Sequence, residues 1–514
     1  MFLVLLVTNL GFGILPAIGQ DPIQGLEEYI EVKRLAWDVP GLSVAIVSQD
    51  NVLLNKGFGV LHVDKPDLVT ANSRFAIASN TKAFTTAAMA ILVERGQLNW
   101  DDRVQKHLPD FQLYDPLVSA DLRVKDLVCH RSGLGTFSGD LLWYGTPFSP
   151  AEIVGKARYL PKAGTLREHY GYSNLMFLAA GEVIAKVSGK SWAEFVASEI
   201  VQPLGMSQTL VSTTDLVGQS EVAVPHKTLP DQNLPLEWYN WDAMMAAGGI
   251  ISSTTDMSKW LQLQLRRGKI DDQRLLFNES SSDYMWSPAT IIPVTAKHRE
   301  LFPSSHFRAY GLGWVMMDYR GVKILSHGGG YDGMYSCVML VPESDLGIVI
   351  LTNSMTSLPT ALAHQIVERF LEPNSTVEFT EVFYESFKKD RVEFYDRIRK
   401  ATEIRTKGTA PSHSLEAYCG TYVDRMYGEA QVILENGSLV LRLMANKDLV
   451  ADLTHLQYDT FKIDWRKEFA WFEEGACKFD LDFAGNVNRF KMDVPNNDLW
   501  FDELDYTRVV GGAK

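Results

Sequence analysis

The sequence has few cysteines and no long run of basic residues. Its four cysteines are spread over 514 residues, and none forms the Cys-x-x-Cys pair of a zinc or thioredoxin-like site. Cys419 and Cys477 could form a disulfide in an oxidising compartment, and four buried thiols are the alternative. The 49 Lys and Arg residues are outnumbered by 63 Asp and Glu residues, for a formal net charge of −14. This charge argues against a nucleic acid or an anionic membrane as partner.

Long apolar runs are also lacking, apart from the first residues of the chain. Residues 1–19 carry no charged side chain, and Ala17-Ile18-Gly19 offers small residues at the spacing of a cleavage site. They predict a signal peptide and a secreted, extracellular protein. Because the run is short, a membrane anchor is the less favoured alternative and we expect no stable membrane insertion. Three glycosylation triplets fit secretion from a eukaryotic host, at Asn278, Asn374 and Asn436.

Length and patterning predict two folded domains, with a third possible. Strand-like apolar runs lie near both ends of the first 372 residues, and a mainly helical region separates them. This pattern indicates one α+β domain over residues 20–372, with a sheet built from the two extremes of that segment. The expected strands are residues 41–47, 52–60, 321–326, 336–341 and 347–352.

The last hundred residues follow a different pattern. Short apolar runs alternate with polar residues, and turn signals such as Asn436-Gly437 separate them. Asn-Gly between alternating runs is a strong hairpin signal. Residues 412–514 are therefore predicted to form a separate all-β barrel, joined through a linker over residues 373–411 that holds a charged helix. The barrel could dock against an active site or mediate assembly.

The chain is organised around an alanine-rich helix predicted over residues 80–95. Ser79 lies at its start and Lys82 three residues later, so both side chains lie on one face of the helix. The ordinary alternative is that Ser79 caps the helix and Lys82 extends to the surface. A second Ser-x-x-Lys string, Ser386-Phe387-Lys388-Lys389, lies in a charged, aromatic stretch without such a helix, and we interpret it as chance.

Two further motifs contain side chains that could take part in catalysis. Tyr172-Ser173-Asn174 precedes an apolar helix predicted over residues 175–187, and His327-Gly328-Gly329 ends a strand. Taken singly, Tyr172 is a rim aromatic, Asn174 is a helix cap and the glycines form a flexible loop. Taken together in this order, the three strings match a known set.

The strings Ser79-x-x-Lys82, Tyr172-x-Asn174 and His327-x-Gly329 resemble the active-site elements of the serine β-lactamase and penicillin-binding-protein superfamily. The closer resemblance is to its branch of class C β-lactamases, D,D-peptidases and esterases. It covers roughly residues 23–372 and implies an antiparallel sheet flanked by helices, with a largely helical insert. The final segment resembles the lipocalin-like domain appended to some members. Supporting strings are His130-Arg131-Ser132-Gly133-Leu134, Pro203-Leu204-Gly205-Met206 and Gly311-Leu312-Gly313-Trp314.

The resemblance implies an acyl-enzyme on Ser79. A serine hydroxyl needs a nearby base, and Lys82 can serve only when neutral. Lowering a lysine pKa from about 10.4 towards 7 by burial disfavours its charged form by roughly 4–5 kcal/mol. The resemblance gives Tyr172 proton transfer to the leaving group and activation of the deacylating water, and gives Asn174 contact with the lysine and the substrate carbonyl. It places the oxyanion donors at the amides of Ser79 and Gly330.

One departure from the family pattern changes the expected substrate. β-Lactamases carry Lys-Thr-Gly where this chain has His327-Gly328-Gly329. A neutral imidazole and a glycine replace the ammonium and the hydroxyl that grip a substrate carboxylate. Penicillin hydrolysis and D-Ala-D-Ala cleavage are therefore disfavoured, and an ester, an amide or a peptide with different end chemistry is favoured. We expect His327 to bind substrate or transfer a proton, with a structural histidine as the alternative, and Gly329 and Gly330 to let substrate approach the strand.

The leading functional hypothesis is a secreted serine hydrolase that acts on a small-molecule or peptide substrate without a cofactor or a metal. The sequence contains neither a Gly-x-Ser-x-Gly elbow nor a His-Glu-x-x-His motif. The alternative is a catalytically idle relative that serves as an extracellular matrix or binding protein. Five retained residues argue against it, namely Ser79, Lys82, Tyr172, Asn174 and His327.

Overall fold

The computed structural model describes residues 21–229, 232–403 and 405–509. The predicted signal peptide, residues 1–19, lies outside these ranges. Within them, no helix combines the length and the apolar character needed to cross a membrane.

The first domain is centred on an antiparallel sheet. Its strands are Gly41–Val47 (β1), Val52–Gly59 (β2), Phe75–Ala76 (β3), His226–Thr228 (β4), Asn233–Pro235 (β5), Ile251–Ser252 (β6), Thr290–Ile292 (β7), Arg308–Tyr310 (β8), Val315–Tyr319 (β9), Val322–Tyr331 (β10), Met334–Val341 (β11) and Leu346–Thr352 (β12). Eight of them form one sheet in the order β2-β1-β12-β11-β10-β9-β8-β7. Because β1 pairs directly with β12, the prediction of a sheet built from both ends of the domain is confirmed.

Helices cover both faces of this sheet. The α-helices are Leu26–Ala36 (α1), Thr81–Glu94 (α2), Val104–His107 (α3), Pro116–Asp121 (α4), Pro150–Lys156 (α5), Asn174–Ser188 (α6), Trp192–Val196 (α7), Met245–Gly248 (α8), Thr254–Leu265 (α9), Glu279–Met285 (α10), Ala296–Leu301 (α11), Leu358–Leu371 (α12) and Phe379–Thr402 (α13). Helices α1, α12 and α13 pack on one face, and α2, α6 and α9 pack on the other. Strand β1 is buried along its whole length because successive side chains point to opposite faces of the sheet. Val44 packs in the core with α1 and α12, and Val47 packs in the core with α2 and α9.

Short helical turns complete the chain. The 3₁₀ helices are Ala78–Asn80, Val124–Val128, Asp140–Leu142, Ala157–Tyr159, Thr213–Leu216, Asp242–Met244, Pro342–Ser344, Leu415–Tyr418 and Phe501–Glu503, and a π-helix covers Ala197–Val201. The charged segment expected in the linker is helix α13, which packs against the first domain and the second. Phe387 on this helix stacks on Trp37, whereas Lys389 of the second Ser-x-x-Lys string is exposed.

The second domain is a closed eight-stranded barrel, as predicted. Its strands are Gly420–Asp424 (β13), Gly428–Glu435 (β14), Ser438–Leu443 (β15), Val450–Gln457 (β16), Thr460–Trp465 (β17), Gly475–Leu481 (β18), Val487–Asp493 (β19) and Tyr506–Arg508 (β20). Asn436 and Gly437 both adopt positive φ between β14 and β15, the turn geometry that hairpins favour.

All four cysteines are free thiols, so the disulfide considered for Cys419 and Cys477 is not formed. The side chain of Cys477 lies inside the barrel, where it is fully buried. The thiol of Cys419 instead points to the carbonyl of Leu415, one turn earlier in the chain. The alternative of four buried thiols also needs correction, because Cys419 is only partly buried.

The barrel docks on residues 136–146 of the first domain. The indole of Trp500 donates a hydrogen bond of 2.8 Å to the carbonyl of Thr136. The amide of Gly139 donates one of 2.8 Å to the carboxylate of Glu503. These two contacts fix the segment that leads into the site described next.

Candidate active site

Ser79 lies in a strained turn that leads into α2. The preceding residue, Ala78, adopts a φ of 46°, a conformation that costs a non-glycine residue of order 1 kcal/mol or more. The hydroxyl of Ser336 on β11 holds the turn, because it donates to the carbonyl of Ile77 at 2.7 Å and accepts from Asn80 Nδ2 at 2.8 Å. Strand β11 therefore fixes the position of the serine.

The amine of Lys82 is fully buried beside Ser79. Its Nζ lies 2.9 Å from Ser79 Oγ, 2.7 Å from Asn174 Oδ1 and 2.9 Å from the carbonyl oxygen of Ala247. A neutral amine has two N–H groups and one lone pair, so it can donate to Asn174 and Ala247 while it accepts the serine proton. Burial lowers the pKa of Lys82 to about 7, against an opposing effect of Asp140. The lysine can therefore act as a base near neutral pH.

Tyr172 completes the proton-transfer group. Lys82 Nζ lies 4.8 Å from the centroid of its ring. Burial raises the pKa of Tyr172 well above its usual value, although a hydrogen bond with the Ser79 side chain lowers it. The ring packs on His130 at 4.0 Å between centroids, and His130 Nδ1 accepts from the amide of Ser173 at 3.0 Å. The phenol thus keeps its proton at neutral pH and is placed to donate it.

Asp140 is a site residue that the sequence reasoning missed. Its Oδ2 accepts a hydrogen bond of 2.6 Å from Asn174 Nδ2, which turns Oδ1 of that amide towards Lys82. Burial raises the pKa of Asp140 well above its usual value. The available signal was a single acidic residue directly before the apolar run 141–144. Because Glu503 of the barrel binds Gly139, the barrel holds the backbone next to Asp140.

Strand β10 presents an open edge to the site. Its pairing with β9 ends at Ser326 and Val315, whereas its pairing with β11 continues to Tyr331. From His327 to Gly330, among the described residues, one edge of β10 therefore lacks a strand partner. Backbone groups of an extended substrate can bind along such an edge.

Glycine is required where β10 approaches the serine. A Cβ atom on Gly329 would lie 2.3 Å from the carbonyl oxygen of Ile77 and 3.0 Å from the amide nitrogen of Ser79. Only a residue without a side chain allows two backbones to come so close. Ser79 and Gly330, the expected oxyanion donors, both line the cavity beside this contact.

His327 is neutral and both of its ring nitrogens are engaged. Nδ1 lies 2.6 Å from the carbonyl oxygen of Gly328, and Nε2 lies 2.8 Å from the hydroxyl of Tyr310. Burial, with a smaller effect of Lys82, lowers the pKa of His327 to about 3. These contacts favour the structural alternative for His327 over proton transfer, and Tyr310 is a partner that the sequence reasoning did not identify.

The site opens into a cavity of about 490 Å³ between the two domains, a size typical of small-ligand sites. Ser79, Tyr172, Asn174 and His327 all line it. The barrel contributes Trp471, whose ring would lie 2.9 Å from a Cβ atom on Gly330. Further wall residues are Phe137, Trp143, Trp241, Tyr335, Phe387, Asp498 and Leu499. The structure thus shows the barrel docked against the active-site cavity.

Comparison with known families matches residues 30–370, more than half of the chain, to the family described as Beta-lactamase. The chain belongs to the beta-lactamase family. In this beta-lactamase family member, residues 404–508 match a domain of unknown function, DUF3471. This match covers the strands of the closed barrel, which has the architecture of a lipocalin-like domain.

Relatives of this beta-lactamase family member include named hydrolases. Unguisins hydrolase ungD' of Aspergillus campestris is 28% identical over 436 residues, which cover 80% of this chain and 78% of that protein. The octameric penicillin-binding protein homologue from Pyrococcus abyssi has a TM-score of 0.63 at 22% identity, over 95% of this chain and 100% of that one. A D-amino acid amidase from Ochrobactrum anthropi SV3 has a TM-score of 0.55 at 25% identity, over 68% of this chain and 100% of that one. The protein is a β-lactamase-like serine hydrolase.

The pKa of Lys82 predicts how the reactivity of Ser79 depends on pH. Below about pH 7 the amine is protonated, so the rate should fall about tenfold per pH unit. It should level off above about pH 7, because the pKa of Tyr172 is raised well above its usual value and that of His327 is lowered to about 3. The measurement is the rate of modification by an uncharged fluorophosphonate between about pH 5 and pH 9.

A matched variant distinguishes the titration of Lys82 from that of a second group that lines the cavity. Burial raises the pKa of Asp498 to about 7 as well. The Asp498→Asn variant should keep the acid limb of the profile, because Lys82 Nζ contacts Ser79, Asn174 and Ala247 and not Asp498. A wild-type profile that is flat through pH 7, or a limb that vanishes with Asp498→Asn, would show that Lys82 is not the group that titrates.

Proposed function

We propose that this protein is a secreted hydrolase of amides, esters or short peptides that works through an acyl-enzyme on Ser79. The observation that carries the proposal is the distance of 2.9 Å between Lys82 Nζ and Ser79 Oγ. At this position burial lowers the pKa of the lysine to about 7. A hydroxyl paired with a neutral amine in a substrate-sized cavity is the arrangement that nucleophilic catalysis needs.

In acylation, neutral Lys82 takes the proton of the Ser79 hydroxyl as Oγ attacks the substrate carbonyl carbon. The carbonyl oxygen gains negative charge and accepts hydrogen bonds from the amides of Ser79 and Gly330. Tyr172 donates its proton to the leaving nitrogen or oxygen as the bond to that atom breaks, and regains a proton from the ammonium of Lys82. The product of this half-reaction is an ester on Ser79 and a free amine or alcohol.

In deacylation, a water molecule attacks the carbonyl carbon of the ester. Its proton passes through Tyr172 to Lys82, and the same two amides bind the oxyanion. When the bond to Ser79 Oγ breaks, the serine regains its proton and the acid product leaves. Each group returns to its starting protonation state, so the cycle requires only substrate and water.

The charges of the cavity support an amide, ester or peptide without a carboxylate at the position that β-lactamases grip. His327, which stands where those enzymes carry lysine, is neutral, and no Lys or Arg is among the described residues that line the cavity. A carboxylate bound there would lack a cationic partner. Amide hydrolysis also fits the name of one structural neighbour, the D-amino acid amidase, and hydrolysis in general fits the name of the unguisins hydrolase.

Secretion is part of the same proposal and rests on the uncharged apolar residues 1–19. N-terminal sequencing of protein recovered from the culture medium of expressing cells is expected to start directly after Gly19. Protein that stays inside the cells with Met1 in place would contradict it.

The test of the nucleophile is covalent labelling with a fluorophosphonate, read by intact mass. We expect a single adduct on the wild-type protein and none on Ser79→Ala. The matched control is Ser386→Ala, which removes the serine of the second Ser-x-x-Lys string on α13 and should label like wild type. A label that persists on Ser79→Ala would place the nucleophile elsewhere. An unlabelled wild type that is inactive on esters and D-amino acid amides would favour the idle alternative.

A further inference from the structure

A carboxylate from the barrel lines the catalytic cavity without a partner. Asp498 follows β19 and reaches the same cavity as Ser79. Among the described residues, no hydrogen-bond donor or cation contacts its side chain. Its backbone is well fixed, because its amide donates to Asn496 Oδ1 at 2.9 Å. The Asn496 amide group in turn donates to the carbonyls of Val494 and Leu499.

The raised pKa of this carboxylate indicates that its charged form would gain stability from a bound partner. Burial raises the pKa of Asp498 to about 7. Asp498 lines the same cavity as Asp140 and Tyr335, and its charge contributes to the raised pKa values of both residues. An acid that loses water without gaining a partner destabilises the fold, and such groups are found where a ligand supplies the partner.

The surroundings select a cation as that ligand. Asp140, the other acid on the cavity wall, already accepts from Asn174. Aromatic faces attract cations, and the wall of the cavity holds several aromatic rings. Those rings are Phe137, Trp143, Tyr172, Trp241, Tyr335, Phe387 and Trp471.

The two cations that line the adjoining groove, Lys227 and Arg391, have other partners. Lys227, in the adjoining groove, pairs with Glu468 and Glu473 at 3.0 and 3.3 Å. Arg391 lies over the ring of Phe387, 5.8 Å from its centroid. The carboxylate of Asp498 is therefore available to a charged group of the substrate.

We propose that Asp498 binds the ammonium group of the substrate, so that the enzyme acts on amino acid amides, amino acid esters or short peptides with a free amino group. The inference rests on the proposed acyl-enzyme function, because Ser79 must attack the carbonyl of the same molecule. It assigns the barrel a direct part in substrate selection, since Asp498 and Trp471 both belong to it.

The experiment compares the p-nitroanilides of D- and L-phenylalanine with their N-acetyl derivatives, which lack the ammonium group. Wild type should prefer the free amine by at least about 30-fold in kcat/KM. The Asp498→Asn variant, which has the same shape, should lower this preference by about 30-fold, as loss of a charge-assisted hydrogen bond does. Asp498→Lys should reverse the preference in favour of an N-succinyl substrate, which carries a carboxylate.

The control is Asp502→Asn, which removes an equal charge from an exposed position four residues later and should keep the wild-type preference. Equal losses on both substrates in Asp498→Asn, or a wild type that hydrolyses the acetylated substrate as well as the free amine, would overturn the inference. Failure of the proposed function has a different signature, namely the absence of a fluorophosphonate adduct on Ser79 in the wild-type protein.

Discussion

Replacing Lys82 by methionine is expected to lower kcat/KM for amide and ester hydrolysis by about 10³-fold or more, because the Ser79 hydroxyl loses its only adjacent base among the described residues. The methionine side chain has a similar length and fits a fully buried position. The measurement is steady-state hydrolysis together with the rate of fluorophosphonate labelling, and both should fall. The matched control, Lys389→Met on the exposed face of α13, should retain both rates.

The same substitution is expected to leave the protein folded. Folding shifts the pKa of Lys82 from 10.5 to about 7, which costs about 4 kcal/mol at pH 7. Methionine removes this cost, but it leaves the carbonyl groups of Asn174 and Ala247 without a donor, at about 1–3 kcal/mol each. We therefore expect the free energy of unfolding at pH 7 to stay within about 2 kcal/mol of wild type.

The pH dependence of stability gives this prediction a second readout. Between about pH 7 and pH 10 the unfolded lysine is protonated and the folded lysine is not, so unfolding binds a proton and stability rises with pH. Lys82→Met should lose this rise. A variant that unfolds at room temperature, or one that keeps the wild-type slope, would contradict the assignment of a neutral buried lysine.

The second large effect is expected for Tyr172→Phe, which should lower kcat for amides by about 10²–10³-fold. The phenylalanine keeps the ring contact with His130 and Lys82, so KM should change little. In the proposed mechanism the hydroxyl donates a proton to the leaving group, and amine leaving groups need that proton far more than activated phenols do. The loss should therefore be at least about tenfold larger for an amide than for a p-nitrophenyl ester of the same acyl group.

Tyr170→Phe is the matched control for this prediction. Tyr170 is a second tyrosine beside His130, at 6.0 Å between ring centroids, and unlike Tyr172 it is not among the described residues that line the cavity. It should keep near wild-type kcat on both substrates. Equal losses of Tyr172→Phe on the amide and the ester would show that the phenol positions the substrate or the lysine and does not donate a proton to the leaving group.

Local patterns predicted much of the architecture. Strand-like runs at both ends of the first domain anticipated a sheet built from the two extremes, because a continuous apolar run indicates a strand buried on both faces. The structure shows that β1 and β12 join these extremes by direct pairing. The Asn436-Gly437 pair anticipated the hairpin between β14 and β15 for a similarly local reason, since both residues tolerate the positive φ that the turn needs. The disulfide considered for Cys419 and Cys477 is not formed. The sequence could not decide this, because the direction of each thiol depends on how the barrel closes.

The sequence by itself determined that Ser79 and Lys82 share one helix face, because a spacing of three residues has the same geometry in every α-helix. Only the tertiary structure decided that burial lowers the pKa of this lysine to about 7, that Asp140 orients Asn174 and that Asp498 lines the cavity. The physical reason is that a pKa depends on burial and on neighbouring charges. The neighbours of Lys82 come from segments 92 and 165 residues away in the chain, which no local periodicity relates to one another.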